Sequence, residues 1–394
     1  MIVEAAGRLS FADAAFAVGL AGLHISPRHV QHLTGVIGGE LAAARDEQAA
    51  ARRRRQLPPR VAQTPAVVAV EVDGGRLRTR ATGCGPGVQQ AQPKEDKVAC
   101  LIALESDTHA QDPQPEPPPS FLEPRRVERL VRQMKGLPGE GPAAEGPADA
   151  GAALAPGPAA EAGPPDYPAA PRRLVRTCVA SLHDSRAFGP LVAGEAQARD
   201  FYRAARRAFV ADGQAYNWSI QQGYFPDFEP IVDFLHVLCY LYRAAWAVSG
   251  QQAERWQRYV GWLRGCWQGR VAEVLGELRA EQERLGEPPE GEEVGPYDPR
   301  RLVAEAVSYL GNNGERMDYP RYRRAGLPVT SSLVESLVGE FNARVKAPGT
   351  FWNRPEGAEA ILQVRAAVLS EDDRLARHFA QRPGSPFRRR KKAG

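Results

Sequence analysis

One stretch of eight residues constrains the fold most: Val67–Gly74 reads Val-Val-Ala-Val-Glu-Val-Asp-Gly. A run that is almost continuously apolar is typical of a central strand buried on both faces. It ends in Asp73, and the two glycines that follow let another backbone approach closely. A carboxylate at the end of a buried strand indicates a functional site. The alternative is a plain turn, because Asp-Gly is also a strong hairpin signal.

The same pattern recurs further along the chain. A short predicted strand over 207–211 ends in Asp212 and Gly213, and another over 228–232 runs into Asp233. His236 follows Asp233 by three residues, a spacing that places both on one helix face. His236 on its own is typical of a histidine with ordinary structural partners rather than of a metal ligand.

A third acid, Glu335, lies near the start of a helix predicted to begin at Ser331. The apolar residues of this helix repeat at helical spacing, and Glu335 lies on a separate polar stripe with Asn342 and Lys346. A capping box is the competing interpretation, because Ser332 precedes Glu335 by three residues.

Three acids from distant parts of the chain predict a site for two Mg²⁺ or Mn²⁺ ions that cleaves phosphodiester bonds. We predict strands over 66–73, 76–81 and 97–105, then a helix, then the two strands before Asp212 and Asp233. This order predicts an α/β protein with a ribonuclease-H-like mixed sheet. Asp212 is the predicted second acid, and Asp233 is its rival.

The first 57 residues predict a helix-turn-helix. Phe11 opens one amphipathic segment, and after a glycine-containing turn Ser26 and Pro27 mark the start of a second helix. The polar first turns of the second helix suit the major groove of DNA. The alternative is a helical hairpin without a ligand. The candidate DNA contacts here are Arg28, Gln31, Arg52, Arg53, Arg54 and Arg55.

Composition sets outer limits. The formal net charge of +4 hides local basic runs. Such runs are usually solvated tails, and where they bind a partner it is most often a phosphate backbone. The five cysteines lie far apart, without CxxC spacing, which fits a reducing cytoplasm and argues against a zinc knuckle. No apolar run approaches the roughly 18 residues of a membrane span. We therefore predict a cytoplasmic, nucleoid-associated protein with no membrane partner.

These features divide the chain into seven predicted regions. They are a DNA-binding region (1–57), the first three core strands (58–106), a largely disordered Pro/Ala/Gly-rich insertion (107–171) and the fourth and fifth core strands (172–233). A helical insertion (234–330), the last catalytic helix (331–382) and a basic tail (383–394) follow.

The sequence resembles DDE-type insertion-sequence transposases of the bacterial ISKra group from Leu9 to Arg389, outside the Pro/Ala-rich insertion. The stretches that carry the resemblance are Val70–Arg76, Ala208–Trp218, Ile231–His236, Val329–Ser336 and Phe351–Arg354. Transposases of this kind need sequence before the helix-turn-helix, so we expect an intact copy to begin earlier.

The resemblance places the family's first acid on Asp73 and its last on Glu335. Asp233 and His236 resemble the Asp/Cys-x-x-His pair that supports the site in related groups. The implied function is cleavage and strand transfer at terminal inverted repeats and target double-stranded DNA, by a homo-oligomer that joins two ends. Backbone contacts are expected from Arg76, Arg344 and Lys346. The alternatives are a truncated or repurposed DNA-binding protein without catalysis and a structure-selective nuclease.

Overall fold

A computed structural model describes residues 1–79, 92–137, 169–286, 294–330, 340–341, 344–345, 352 and 354–383. Its strands are β1 Val67–Thr79, β2 Gln92–Glu105, β3 Arg172–Ser181, β4 Arg206–Ala211 and β5 Glu229–Val232. Its helices are α1 Ile2–Arg8, α2 Phe11–Leu20, α3 Pro27–Arg53, α4 Pro124–Met134, α5 Ser185–Ala198, α6 Ala215–Tyr224, α7 Phe234–Val248, α8 Gln252–Trp267, α9 Val271–Leu285, α10 Pro299–Asn313, α11 Tyr319–Arg324, α12 Pro355–Leu369 and α13 Arg374–Gln381.

The five described strands form one mixed sheet in the order β3-β2-β1-β4-β5. β2 pairs antiparallel with both β1 and β3, whereas β4 is parallel to β1 and to β5. Residues Val67–Val70 are fully buried, as expected for a central strand covered on both faces. The predicted α/β class with a mixed sheet is therefore confirmed.

The predicted break at Asp73 is wrong. β1 continues through Asp73, Gly74 and Gly75 to Thr79, so the two strands predicted over 66–73 and 76–81 are one. The reason is the partner: β2 supplies backbone hydrogen-bonding groups opposite all thirteen residues of β1. What ends near Asp73 is the parallel pairing with β4, whose last pair joins Val72 to Ala211.

The third strand lies elsewhere than predicted. The segment predicted over 97–105 belongs to β2, and β3 is Arg172–Ser181, beyond the Pro-rich stretch. Three arginines in its first five residues hide its apolar half from a pattern search. The segment predicted to be disordered falls mostly on 138–168, which lies outside the described residues. Most of 331–353 and the tail from residue 384 also lie outside them.

The predicted N-terminal helix pair is confirmed, with α1 as an additional helix before it. Ser26 caps α3 by accepting a hydrogen bond from the amide of His29 at 3.2 Å. α3 extends to Arg53 and crosses α12 at very close range. A Cβ atom on Gly38 would lie 2.2 Å from the carbonyl oxygen of Ala360, so only glycine fits at this crossing.

Helices α7 to α11 form a layer against the β5 end of the sheet. Phe234 packs edge-on against Trp267 and Tyr319, with ring centres 4.8 and 4.9 Å away. The Tyr319 hydroxyl donates to the carbonyl oxygen of Val232 at 3.0 Å. These contacts fix the helical layer beside the ends of β4 and β5.

Candidate acidic site

Three aspartates follow the last parallel-paired residues of the neighbouring strands β1, β4 and β5. The parallel registers join Val72 to Ala211 and Ala211 to Val232, so Asp73, Asp212 and Asp233 follow in one row. Neighbouring strands lie about 4.8 Å apart, and residues in register project to the same side of a sheet. The topology therefore brings three carboxylates together at one edge.

Asp73 lies at the centre of this electrostatic group. Its Oδ1 accepts a hydrogen bond from the amide of Gly74 at 2.7 Å. Burial raises the pKa of Asp73, the charges of Asp212 and Asp233 add to the rise, and His236 and the Gly74 amide oppose it. The three carboxylates are therefore close enough for the charges of two to act on the third.

Asp212 is fixed by the turn that leads into α6. Its Oδ1 accepts from the Gln214 amide at 3.0 Å and from Asn217 Nδ2 at 2.8 Å, and its Oδ2 accepts from Gln214 Nε2 at 2.6 Å. Its carbonyl oxygen accepts from the Tyr309 hydroxyl at 3.0 Å. Gly213 follows with φ of +88°, a backbone conformation that L side chains rarely adopt. The turn thus favours glycine at position 213, and Asp212 accepts the hydrogen bonds that fix the start of α6.

Asp233 and His236 form the predicted pair. Asp233 is fully buried and caps α7, with Oδ1 accepting from the Leu235 amide at 3.2 Å. Its Oδ2 lies 2.7 Å from Nδ1 of His236. Burial lowers the pKa of His236, but the hydrogen bond to Asp233 and the charges of all three aspartates outweigh it, and the net change is a rise. His236 therefore contacts Asp233 directly and interacts electrostatically with all three aspartates.

Two residues beside the acids were missed by the sequence patterns. Lys97, only 3% exposed, lies with Nζ 4.1 Å from the ring centre of Tyr216 and 2.7 Å from Glu95. Burial raises the pKa of Tyr216, and the charges of Asp212 and Asp73 raise it further. Lys97 lies on β2 and Tyr216 on α6, far apart along the chain, so no pattern within one segment links them.

A groove of about 1180 Å³ opens beside Asp212, between α6 and α10. Trp218, Tyr240 and Tyr309 line it together with the side chains of Arg301 and Arg316. The guanidinium group of Arg316 lies 4.7 Å from the ring centre of Trp218. Aromatic rings combined with guanidinium groups are typical of surfaces that hold single nucleic-acid strands.

The third predicted acid, Glu335, and the predicted contact Lys346 lie outside the described residues. Arg76 belongs to β1, and its side chain also lies outside the description. Among the residues that the structure describes, no group of three or more His, Cys, Asp or Glu side chains is arranged to hold a metal ion. Asp73 and Asp212, the other two predicted ligands, lie side by side in the register of β1 and β4.

The prediction that Arg344 contacts the DNA backbone is wrong. Only 6% of it is exposed, its Nε donates to the carbonyl oxygen of Ala6 at 2.8 Å, and its guanidinium group lies 4.7 Å from the ring centre of Phe11. Burial lowers the pKa of Arg344 to about 10, and the charge of Arg365 adds to this. Arg344 holds α1 in place and does not present its charge to a DNA backbone.

The other predicted contacts divide into two groups. Arg28, Gln31, Arg53, Arg54 and Arg55 are exposed along or just beyond α3. Arg54 forms an ion pair with Glu47 at 2.5 Å. Arg52 instead donates to the hydroxyl of Tyr202 at 3.1 Å and lies over its ring. Arg52 is therefore used inside the protein.

Neither a scan against models of known protein families nor a search of curated proteins found a match for this chain. Within the described ranges, no helix combines the length and the apolar character needed to cross a bilayer.

Proposed function

We propose that this protein cuts and joins DNA at the acidic site, as a transposase of insertion-sequence type. The observation that carries the proposal is the row of Asp73, Asp212 and Asp233 where the parallel pairing of β1, β4 and β5 ends. Its support is electrostatic as well as geometric, because burial raises the pKa of Asp73 and the charges of the other two acids add to that rise. The strand order β3-β2-β1-β4-β5, with β2 antiparallel, is the order expected of a ribonuclease-H-like sheet.

The carboxylate side chains of this site are of the chemical type that binds divalent cations. Asp73 and Asp212 would hold it with Glu335 as the third ligand, since Mg²⁺ and Mn²⁺ prefer carboxylate oxygens. Such an ion supplies activation of a water or hydroxyl nucleophile and neutralises charge on the phosphoryl group. Asp212, 9% exposed, is better placed for this role than the fully buried Asp233.

The other groups have supporting roles in this proposal. Asp233 orients His236 through the 2.7 Å contact, and protonated His236 offsets part of the negative charge of the row. Lys97 is a second buried cation close to Tyr216 and therefore to the acids. The groove lined by Trp218 and Arg316 would hold the strand being cut, and the exposed side chains at the start of α3 would contact duplex DNA.

One observation favours a second candidate, a DNA-binding protein of the same fold without catalysis. The carboxylate oxygens of Asp212 and Asp233 all have contacts with groups of their own turns and helices. Gln214 and Asn217 already donate three hydrogen bonds to the two carboxylate oxygens of Asp212, so a cation there competes with these donors for lone pairs. This competition weakens metal binding, whereas DNA binding alone does not depend on it.

The test is a nicking assay on supercoiled plasmid and on labelled duplex carrying the sequences that flank the gene, with Mg²⁺ or with EDTA. We expect nicking only with Mg²⁺, and a loss of about 10³-fold or more in Asp73→Asn, Asp212→Asn and Glu335→Gln, because each removes a ligand worth several kcal/mol. Duplex binding, measured by gel shift, should persist in all three variants.

The matched control is Asp227→Asn, which changes an exposed acid two residues before β5 and should nick like the wild type. Nicking that survives in both Asp73→Asn and Glu335→Gln would refute the assignment. Duplex binding by the wild type without any nicking would establish the second candidate instead.

A further inference from the structure

A second cavity, of about 690 Å³, lies beside the opposite edge of the sheet. Strand β3 and helices α3, α5, α12 and α13 contribute its walls. Its apolar part includes Leu41, Val179 and Leu191. Its charged part is dominated by guanidinium groups, from Arg45, Arg60, Arg199, Arg374 and Arg377.

Positive charge exceeds negative charge in this cavity. Glu195 and Asp372 are the carboxylates that line it. Arg374 contacts both, at 2.5 Å to Glu195 and 2.8 Å to Asp372. Asp372 also accepts from Arg377 at 3.0 Å and lies 4.0 Å from Arg199. One carboxylate thus serves three guanidinium groups.

Arg45 does not draw on these carboxylates, because it pairs with Glu359 at 2.6 Å. Arg60 is exposed at the edge of the cavity and adds a further positive charge. Four guanidinium groups, those of Arg60, Arg199, Arg374 and Arg377, therefore face two carboxylates. An anion of one or two charges would balance them.

Arg199 is the group left short of acceptors. Its side chain is 13% exposed, and its buried Nε has no hydrogen-bond partner in the described part of the chain. Burial lowers the pKa of Arg199, and the neighbouring charges of Arg374 and Arg377 add to this, against the opposing effect of Glu195 and Asp372. A buried guanidinium group in this state is stabilised by an added oxyanion.

We propose that this cavity binds the phosphate group of a small organic molecule. The planar forks of Arg199 and Arg377 match two oxygens of one phosphate group. The apolar side chains of Leu41 and Leu191 provide a surface for the organic part. A duplex contacts proteins along an open surface, whereas these side chains converge from five different elements around one space, so the ligand is a free small molecule.

The test is calorimetric titration of the full chain with inorganic pyrophosphate, AMP and adenosine at constant ionic strength. We expect pyrophosphate and AMP to bind and adenosine to bind at least about tenfold more weakly, since adenosine lacks the phosphate oxygens that accept the charge-assisted hydrogen bonds. Arg199→Gln should weaken AMP binding by a similar factor. Arg377→Gln should do so too, and since Arg377 is 58% exposed this variant tests the proposal if Arg199→Gln fails to fold.

Arg173→Gln is the matched control. Arg173 is 10% exposed and pairs with Glu371 at 3.2 Å, but it does not line the cavity, so AMP should bind this variant as it binds the wild type. Absence of AMP and pyrophosphate binding to the folded wild type would overturn the proposal. Equal affinity in Arg377→Gln, or displacement of AMP by a 12-base-pair duplex, would overturn it as well.

Discussion

The acidic row and the arginine-lined cavity hold unbalanced charge of opposite sign on one sheet. In the acidic row the pKa of Asp73 is raised, by burial first and then by Asp212 and Asp233. In the cavity the pKa values of Glu195 and Asp372 are lowered, because arginine contacts outweigh burial. In the acidic row like charges thus add to the effect of burial, whereas in the cavity opposite charges overcome it, and the ligands proposed for the two regions are accordingly a cation and an anion.

The largest expected effect comes from removing a carboxylate of the cavity. Glu195→Gln should lower the free energy of unfolding by about 3 kcal/mol, because it takes away a buried partner of Arg374. Glu128→Gln, which breaks an exposed ion pair with Arg132, should cost less than about 1 kcal/mol. Urea unfolding measures both. Equal costs would mean that Glu195 is not held by its charge.

A smaller effect is expected where α3 crosses α12, since these helices contribute two walls of the cavity. Gly38→Ala should cost about 2 kcal/mol, because the added methyl group meets the Ala360 carbonyl oxygen. Gly39→Ala is the control: nothing lies within 4 Å of its Cβ position, and alanine should stabilise the helix by about 0.5–1 kcal/mol. The same sign for both variants in thermal unfolding would rule out a close crossing.

The smallest change in the free energy of unfolding is expected for a substitution in the acidic row. Asp73→Asn should raise the free energy of unfolding in the absence of divalent cations, by less than about 2 kcal/mol, because it removes a repelled charge. The folded pKa of Asp73 lies above the ordinary value of 3.8, so wild-type stability falls as pH rises from 3.8 through the folded pKa. The variant should lack this fall.

The cavity has the opposite pH dependence. Because the folded pKa values of Glu195 and Asp372 are lowered, their contribution is complete above the ordinary carboxyl pKa and is lost as pH falls through the folded values. Unfolding free energies measured against pH for the wild type, Asp73→Asn and Glu195→Gln distinguish the pH dependence of the acidic row from that of the cavity. A shared pH profile for both variants would contradict the comparison.

Local patterns in the sequence predicted the elements whose signals are local. The strands before Asp212 and Asp233, the cap at Ser26 and the Asp233–His236 pair depend on residues within four positions of one another, and the structure contains each of them.

What the sequence did not predict depends on partners far along the chain. The continuity of β1 through Asp73 needs β2 opposite it, and β3 is separated from β2 by more than sixty residues. The burial of Arg344 needs α1, at the other end of the chain. Periodicity within one segment carries no information about any of these contacts.

Two buried arginines from the C-terminal part of the chain donate hydrogen bonds to α1. Arg344 donates to the carbonyl oxygen of Ala6, and Arg365 to that of Gly7 at 2.8 Å. Arg344 follows Glu335 by nine residues. A displacement of α1 would therefore disturb one hydrogen bond to Arg344, close in sequence to the third predicted acid, and one to Arg365 in α12.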